Sequence, residues 1–365
     1  MPSVVVVGTR FGAEAHVPGF RAAGYNVVGL VGRDLAKTEA IAEHYGTRGF
    51  AGLDAALAMK PDVVSIASPP HMHYDLARRA LEAGVHVICE KPFTRTLEQA
   101  AELRDLAAER GLVGVLCHEF RYVPSTALFG RLLAKGAIGH PCMATFISHS
   151  SYVADVNMPR PDWWFNPELG GGWLGASGSH GIDRIVDWFG QIAGVSAQRV
   201  CASARQDGSA DDSFDLHFRS RSGVLGTFQS TAAAWGPAID ITRVVGPAGT
   251  LWLEDTVERG IIELTAGPVH VSDAKGTRTV AVPPGLEVPP LQTDSPWGHS
   301  SALLAQQFRE VARLIAGEAP TMRYPRAATF ADGYCNMQVL DAAYRSAARG
   351  GEWVDVMDPF EAPGG

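Results

Sequence analysis

The first third of the chain alternates short, uniformly apolar runs with amphipathic stretches. The amphipathic stretches, which predict helices, lie near residues 36–45, 72–83 and 97–109. Uniformly apolar strands that alternate with helices are typical of a parallel sheet covered on both faces. We therefore predict a doubly wound α/β domain over residues 1–122. Its candidate strands are residues 4–7, 27–31, 63–67, 85–89 and 112–117.

After Pro124 the pattern changes to strands in which apolar and polar residues alternate. Turn residues separate these strands, among them Ser222-Gly223 and the Gly-Pro-Ala-Gly sequence at 246–249. Meandering strands of period two predict an antiparallel sheet with one face packed on helices. The strands are "SFDLHF" (213–218), "VLGTFQS" (224–230), "IDITRVV" (239–245) and "TLWLE" (250–254).

The last quarter of the chain contains one strongly periodic helix. It is predicted over 301–316, with Ser301 as its N-cap and Gly317 just beyond its end. The proline-rich segment 282–298 before it is predicted to be a surface loop or arm. We therefore assign residues 123–365 to a second domain of the α+β class.

Composition and charge exclude several classes of protein. The chain is 46% hydrophobic and 19% charged, as expected of a folded globular protein. Its net charge of −8 argues against a nucleic-acid partner, because phosphate binding needs a basic face. No apolar run approaches the roughly 18 residues that a membrane span requires. The five cysteines contain no C-x-x-C pair, so we expect reduced thiols and a cytoplasmic protein.

The segment "VVVVGTRFGAEAHVPGF" (4–20) begins like the phosphate-binding loop of a Rossmann domain. In the G-x-G-x-x-G/A template the glycines allow a tight turn, close approach of a pyrophosphate and helix–strand packing. Gly8 and Ala13 fit the first and third positions, Phe11 and Gly12 complete the loop, and Arg10 replaces the second glycine. We predict that this loop binds a nicotinamide dinucleotide, with Arg10 turned outward or laid along the pyrophosphate. The alternative is a Rossmann-like domain that no longer binds a cofactor.

The end of the second strand bears on the choice between NADP and NAD. An NAD site usually has an acidic residue here, which accepts a hydrogen bond from the ribose 2′-hydroxyl. This chain has Gly32 and then Arg33. An arginine can pair with a 2′-phosphate and stack on adenine, which favours NADP. Asp34 leaves NAD as an alternative cofactor. If the predicted end of the strand is wrong by one residue, Asp34 rather than Arg33 occupies the ribose-binding position.

Several later stretches resemble the glucose–fructose oxidoreductase/inositol dehydrogenase (Gfo/Idh/MocA) family. "SPPHMH" (68–73) and "EKP" (90–92) match motifs at the ends of two successive strands in that family. "HEFRYVP" (118–124) is similar to its domain-junction segment. "GGGWLGASGSHGIDRIVDWFG" (170–190) is similar to its glycine-rich entry into a substrate-domain helix. The resemblance covers nearly the whole chain.

This resemblance implies a Rossmann domain followed by an α+β domain with a large open, mainly antiparallel sheet. In the family that sheet often mediates oligomers, so we expect a homodimer or homotetramer. The implied activity is transfer of a hydride between a nicotinamide cofactor, NADP or NAD, and a hydroxyl- or carbonyl-bearing carbon of a small, sugar-like substrate. By position, the residues that would line the cofactor are Gly8, Ala13, Arg33, Ser68, Pro69, His73, Glu90, Lys91 and Arg121.

Lys91 and His180 are the candidate catalytic residues. Oxidation of a secondary alcohol needs a group that takes the hydroxyl proton and returns it in the reverse reaction. Lys91 follows a buried strand, where desolvation favours the neutral amine and Glu90 favours the ammonium. His180 opens a helix whose dipole favours a neutral ring that can hydrogen-bond a substrate. Alternatively, Glu90 and Lys91 are a structural pair that caps the strand.

The segment before His180 departs from the family pattern. The family usually has an aspartate four residues before this histidine, and this chain has Ala176. Either the acid comes from elsewhere, such as Asp162 or Glu168, or Lys91 and His180 suffice, or the substrate is not a plain polyol. Ala176 and Asp183 are candidate substrate-contacting positions, although we expect Asp183 to face Arg184 or the core rather than replace that aspartate.

The stretch "PDWWFNPELGGG" (161–172) is a candidate substrate wall. Trp163 and Trp164 have the flat apolar surface that sugar rings stack on, although such residues are as often core. The main hypothesis is thus an NAD(P)-dependent oxidoreductase. One alternative is a transient oxidation followed by elimination, with no net redox change. The other is a catalytically silent cofactor-binding protein, suggested by Arg10 and Ala176.

Overall fold

The computed structural model describes residues 1–205, 209–257, 267–320 and 322–357. Its strands are β1 (Ser3–Val7), β2 (Asn26–Val31), β3 (Gly49–Phe50), β4 (Val63–Ile66), β5 (His86–Cys89), β6 (Gly114–Leu116), β7 (Met143–His149), β8 (Ile192–Val200), β9 (Ser213–Ser220), β10 (Leu225–Thr231), β11 (Ala238–Gly246), β12 (Gly249–Val257), β13 (Val269–Asp273), β14 (Gly276–Val280), β15 (Ala328–Thr329) and β16 (Val354–Asp355). Its α-helices are α1 (Val17–Ala22), α2 (Leu35–His44), α3 (Leu53–Leu57), α4 (His73–Glu82), α5 (Leu97–Glu109), α6 (Pro124–Ala134), α7 (Ser179–Phe189), α8 (Gly298–Ile315) and α9 (Phe330–Ala348).

The chain divides into two compact units. The first contains Met1–Tyr122 and Val288–Tyr334, and the second contains Val123–Glu287 and the chain from Cys335 onward. Residues 288–334, which the sequence pattern predicts in the second domain, are grouped with the first unit in the structure. The amphipathic pattern of α8 revealed a buried face, but it carried no information on which sheet that face would cover.

The first unit is built on a sheet in the order β15-β6-β5-β4-β1-β2-β3. All neighbouring strands are parallel except β15, which runs antiparallel to β6. Val4, Val5 and Val6 of the central strand have no exposed surface, as expected of a strand covered on both faces. The prediction of a doubly wound parallel sheet is therefore confirmed. The pattern did not reveal β3 and α3, which are too short to show a period.

Helix α8 completes the core of the first unit. Leu304, Phe308 and Val311 are fully buried with Phe20 in one apolar cluster, and the rings of Phe308 and Phe20 stack with centroids 3.7 Å apart. The prediction of Ser301 as N-cap is wrong, because the helix begins at Gly298 and the Ser301 hydroxyl donates to the Trp297 carbonyl within it. Gly317 does follow the helix with a φ of +76°.

The second unit is built on a sheet in the order β14-β13-β12-β11-β7-β10-β9-β8-β16. Only β7 and β10 pair in parallel among the described strands of this sheet. Helix α7 packs closely on one face: a Cβ on Gly181 would lie 2.3 Å from the ring of Phe228. The prediction of a mainly antiparallel sheet with helices on one face is therefore confirmed.

The five cysteines are free thiols. Cys89 and Cys117 are buried, and Cys142 and Cys201 are exposed. Burial raises the pKa of the Cys89 and Cys117 thiols well above the usual range, which keeps both protonated. Among the described helices, none is both long and apolar enough to cross a membrane.

Candidate active site

The turn between β1 and the first helix has the geometry of a phosphate-binding loop. Gly8 has a φ of +130°, and a Cβ there would lie 2.3 Å from the Ala67 carbonyl oxygen, so the position requires glycine. The helix that follows contains a π-helical turn over Gly12–His16. Its backbone bonds include Glu14 N to Arg10 O at 2.8 Å. Backbone N–H groups before Glu14 therefore have no acceptor within the helix and can bind an anion.

The side chains of this loop leave the turn accessible. Arg10 is exposed, so its side chain is not packed into the interior of the unit. Gly12 and Ala13 are buried, and a Cβ on Gly12 would lie 3.1 Å from Val6 Cγ1. Phe11 packs inward, with its ring 5.2 Å from that of Trp297. These residues fit a dinucleotide whose phosphates lie on the helix N-terminus.

The residues after β2 have distinct environments. Asp34 is the N-cap of α2, since its Oδ1 accepts a hydrogen bond of 3.2 Å from the Lys37 amide. Arg33 is exposed, and its guanidinium forms no hydrogen bond or ion pair with the described residues. The cap therefore explains Asp34, whereas Arg33 has no such structural partner in the described part of the chain.

His73 connects the loops after β4 and β5. Its ring is fully buried, with Nδ1 2.9 Å from the Pro92 carbonyl oxygen and Nε2 2.9 Å from that of Ser68. Burial lowers the pKa of His73, although both carbonyl groups and Glu90 oppose this. Ser68 and Pro69 are half-buried beside it. The imidazole thus holds the "SPP" and "EKP" loops together at the carboxyl edge of the sheet.

Glu90 and Lys91 lie directly after β5 and differ in exposure. The Glu90 side chain is 8% exposed, and its Oε1 lies 3.1 Å from Nε2 of the fully buried His16. The Lys91 side chain is 20% exposed, with its Nζ 4.0 Å from Glu90 Oε2. Burial alone would raise the pKa of Glu90, but the hydrogen bond from His16 and the charge of Lys91 outweigh it and lower the pKa. Lys91 therefore lies beside a buried, ionised carboxylate.

A second buried carboxyl group, Glu119, lies in the same cluster. Its residue is 4% exposed, and its Oε2 has no hydrogen-bond partner in the described part of the chain. Burial raises the pKa of Glu119 to about 8; the charge of Glu90 adds to this effect and that of Lys91 opposes it. Glu119 is therefore a neutral acid over most of the physiological range.

From the raised pKa of Glu119 we predict how the stability of the protein depends on pH. The folded protein keeps this proton up to about pH 8, whereas an unfolded chain releases it near the ordinary glutamate value. The folded state thus binds more protons in this window, and stability falls as the pH rises through it. We expect Glu119→Gln to unfold at a higher temperature than the parent at pH 9, with the difference shrinking toward pH 5.

Thermal unfolding, followed by fluorimetry from pH 5 to 9, measures this effect. Each kcal/mol of unfolding free energy shifts Tm by about 2–4 °C. Glu109→Gln, which changes an exposed glutamate on α5, is the matched control. A difference in Tm that stays constant with pH would contradict the expected ionisation of Glu119.

Arg121 is part of a buried ion-pair network in the first unit. Its Nη1 lies 3.9 Å from Asp332 Oδ2, and Arg326 holds both oxygens of Asp332 at 2.7 Å. Although burial raises the pKa of Asp332, the Arg326 hydrogen bonds and the Arg121 charge lower it far below its usual range. The structure therefore places Arg121 where it stabilises the start of α9.

In the second unit, the glycine-rich segment leads through a π-helical turn, Leu174–Gly178, into α7. Asp211 holds the start of this turn: its Oδ2 accepts from the Leu174 amide at 2.9 Å, and its Oδ1 accepts from Arg199 Nη1 at 2.8 Å. A Cβ on Gly172, which has a φ of +120°, would lie 2.7 Å from Asp211 Oδ1. The glycine thus allows the close approach of a carboxylate, which is favourable at the N-terminus of a helical segment.

His180 is the second residue of α7 and is 8% exposed. Ala176, one turn before it, is buried, and the proposed substitute acids Asp162 and Glu168 are exposed. Asp183 is 1% exposed and accepts a hydrogen bond of 2.8 Å from Asn336 Nδ2. Its contact with α9 agrees with the expected orientation toward the core and favours a structural role over contact with a substrate.

The aromatic residues of the predicted wall form a connected cluster. The Trp164 ring centroid is 5.2 Å from that of Trp163, 5.1 Å from that of Tyr152 and 5.8 Å from that of Trp173. Trp173 is buried and donates to Ser230, whereas Trp163 and Trp164 are half-buried. The two tryptophans therefore combine a packed edge with an accessible surface.

Four residues that the structure connects to the candidate residues were not predicted from the sequence. His16 contacts Glu90, Ser65 contacts His16, the charge of Glu90 acts on Glu119, and Asp211 supports the segment before His180. A histidine in the first turn after a phosphate-binding loop and an acidic residue two positions before a strand were visible signals. Their partners could not be inferred, because they lie 37 to 74 residues away.

Family models match both parts of the chain. Residues 3–118 match a model described as an oxidoreductase family with an NAD-binding Rossmann fold. This match, the sheet order and the Gly8 turn define an NAD-binding oxidoreductase. Residues 128–252 match the GFO/IDH/MocA C-terminal domain. The chain belongs to the Gfo/Idh/MocA oxidoreductase family.

Individual relatives agree with this assignment. An uncharacterized oxidoreductase of Synechocystis, sll0816, is 32% identical over 272 residues, which is 72% of this chain and 71% of the relative. Levoglucosan dehydrogenase of Pseudarthrobacter phenanthrenivorans is 29% identical over 80% of each chain. A solved structure of levoglucosan dehydrogenase with NADH and levoglucosan has a TM-score of 0.83 and 25% identity, covering 98% of this chain and all of that one.

Proposed function

We propose that the protein is an NAD(P)-dependent dehydrogenase that oxidises a hydroxyl-bearing carbon of a small sugar, or reduces the corresponding carbonyl group. The observation that carries the proposal is the arrangement at one edge of the parallel sheet. Gly8, Ser68 and Lys91 follow β1, β4 and β5, which are adjacent strands in the sheet. Ligands of open α/β sheets bind at the carboxyl ends of the strands. The lysine therefore lies along the same edge as the phosphate-binding turn.

The chemistry at this edge needs a proton carrier. A bound nicotinamide supplies the hydride acceptor or donor. Lys91 is accessible enough to contact a substrate and is paired with an ionised carboxylate. In oxidation its neutral amine takes the hydroxyl proton at Nζ, and in reduction its ammonium returns a proton to the developing alkoxide. The resemblance to the family suggests His180, at the start of α7, as a further residue that hydrogen-bonds the substrate.

The relatives support a sugar as substrate. Levoglucosan dehydrogenase aligns over most of the chain, and an Escherichia coli D-glucoside 3-dehydrogenase is 35% identical over 42% of it. The accessible faces of Trp163 and Trp164 provide the apolar surface on which a pyranose ring stacks.

A spectrophotometric assay tests this function. Purified protein is incubated with NAD⁺ or NADP⁺ and a panel of levoglucosan, alkyl glucosides, free aldoses and inositols, and reduction is followed at the nicotinamide absorbance. We expect turnover with at least one sugar and none with simple alcohols. Retained NADH binding without turnover on any member would contradict the proposal.

The exposed guanidinium of Arg33 predicts a preference for NADP(H). If it pairs with the 2′-phosphate, Arg33→Ala should weaken NADPH binding about tenfold, or ~1.4 kcal/mol, and leave NADH binding within twofold. Fluorescence titration of both reduced cofactors measures the two changes. Arg10→Ala is the control, because a side chain near the pyrophosphate affects both cofactors alike. Equal losses in Arg33→Ala would argue against 2′-phosphate recognition.

We also propose that the protein is a homodimer or homotetramer through the outer face of the nine-stranded sheet. Met143, Leu225 and Trp353 line a hollow on this face, and about half of each side chain is exposed. Such an apolar strand face typically marks an interface. Leu225→Lys should shift the mass from light scattering toward the monomer, whereas Met59→Lys, a change of an exposed methionine in the first unit, should not. An unchanged mass in Leu225→Lys would reject this face.

A further inference from the structure

A chain of polar contacts runs from Lys91 into the core of the first unit. Nζ of Lys91 lies 4.0 Å from Glu90 Oε2, and Glu90 Oε1 lies 3.1 Å from His16 Nε2. His16 Nδ1 in turn lies 2.8 Å from the Ser65 hydroxyl. His16 and Ser65 have no exposed surface, so both depend on these contacts for their hydrogen bonds.

The contacts determine the orientation of the His16 ring. A neutral imidazole has one N–H and one acceptor nitrogen. If the Ser65 hydroxyl donates to Nδ1, the N–H is on Nε2 and donates to the Glu90 carboxylate. Aromatic rings hold the imidazole in place, with centroids 5.4 Å (Phe11) and 5.6 Å (Phe308) from its own.

We propose that His16 is a positioning residue for proton transfer at Lys91. By donating to Glu90 Oε1, His16 keeps the buried carboxylate ionised and directs Oε2 toward Nζ. Oε2 then presents its negative charge to Nζ at 4.0 Å. This inference rests on the proposed function, because it assigns a role to Lys91 as the proton carrier.

Among the described titratable groups around Glu90, Glu90 itself carries the negative charge beside Lys91. Those facing Glu90 are His73 from α4, Cys89 from β5, Cys117 after β6 and Glu119 from the turn that follows. Burial raises the pKa of both thiols and of Glu119, which keeps all three uncharged near pH 7. In contrast, the pKa of Glu90 is lowered: burial opposes ionisation, and the His16 hydrogen bond and Lys91 charge overcome it. Glu90 is thus the anion beside Lys91 in this cluster.

The chain is well suited to a direct measurement of the charge on Lys91. It contains five lysines, and the other four are exposed. Trace acetylation of the intact protein at a series of pH values, read by peptide mass spectrometry, gives a midpoint for each lysine. The measurement needs neither cofactor nor substrate. The internal references are Lys37, Lys60, Lys135 and Lys275.

Two variants of His16 separate the hydrogen bond from the shape of the site. The amide nitrogen of glutamine can occupy the place of Nε2, whereas that of asparagine reaches only the place of Nδ1. We expect His16→Asn to lower the midpoint of Lys91 acetylation by about one pH unit. His16→Gln should keep it within about 0.3 units of the parent, and the reference lysines should not move.

A double variant tests whether His16 acts through Glu90. Glu90→Gln alone should lower the Lys91 midpoint as His16→Asn does, and His16→Asn/Glu90→Gln should lower it no further. An unchanged midpoint in folded His16→Asn, additive shifts, or a stoichiometric metal ion bound by this cluster would overturn the proposal. If Lys91→Ala retained turnover, the proposed function would fail instead, and the acetylation result would still stand as a test of the Glu90–His16 pair.

Discussion

Lys91→Ala is expected to lower turnover about 10³-fold or more while NAD(P)H binds within a few-fold of the parent affinity. Removing a proton-transfer group typically costs 10²- to 10⁴-fold in rate. Under the proposed function the cofactor's phosphates bind at the Gly8 turn and the helix that follows it, which alanine at position 91 does not alter. Stopped-flow absorbance measures turnover, and fluorescence titration measures binding.

Lys91→Arg separates charge from proton transfer. Arginine keeps the positive charge beside Glu90 but does not deprotonate in proteins. We therefore expect it to be nearly as inactive as alanine, whereas Lys135→Ala, at an exposed lysine of the second unit, should be fully active. Turnover in Lys91→Ala that matches the parent would remove Lys91 from the mechanism.

His180→Asn is expected to lower turnover about 100-fold, because asparagine keeps a polar side chain but cannot orient a substrate hydroxyl in the same way. If both residues act in one chemical step, Lys91→Ala/His180→Asn should lose little more than Lys91→Ala alone. His140→Asn, at an exposed histidine, is the control. If the rate losses of the two single variants multiply in the double variant, as measured in single-turnover experiments, the two residues act in different steps.

Much of the fold could be predicted because burial determines which positions along a strand or helix are apolar. The uninterrupted valines of β1 revealed a strand covered on both faces, and the alternation in β9 revealed a sheet with one open face. The pattern of residues could not show which of the two sheets α8 covers. Its apolar face fits either sheet equally well, and the contact with Phe20 joins residues 288 positions apart.

Residues of the candidate site could be predicted where the local backbone requires a particular residue type or where they directly follow a buried strand. Gly8 is required by its own φ and by the Ala67 carbonyl, and Glu90 and Lys91 follow directly from the end of a buried strand. Side chains that act through distant partners were not predictable: His16 meets Glu90 across 74 residues. Ala176 remains a departure from the family motif, and Asp211 is a buried carboxylate that accepts a hydrogen bond at the start of the helical segment containing Ala176.

Hydride transfer from the cofactor to a sugar is the reaction that most directly tests the proposed dehydrogenase activity. The protein is incubated with NADH or NADPH carrying deuterium at C4 and with a panel of keto-sugars, and the sugars are examined by mass spectrometry. We expect deuterium on a sugar carbon in the parent, and loss of that transfer in Lys91→Ala with binding intact. Cofactor that binds normally but transfers no label to any member of the panel would contradict this expectation and identify a silent cofactor-binding protein.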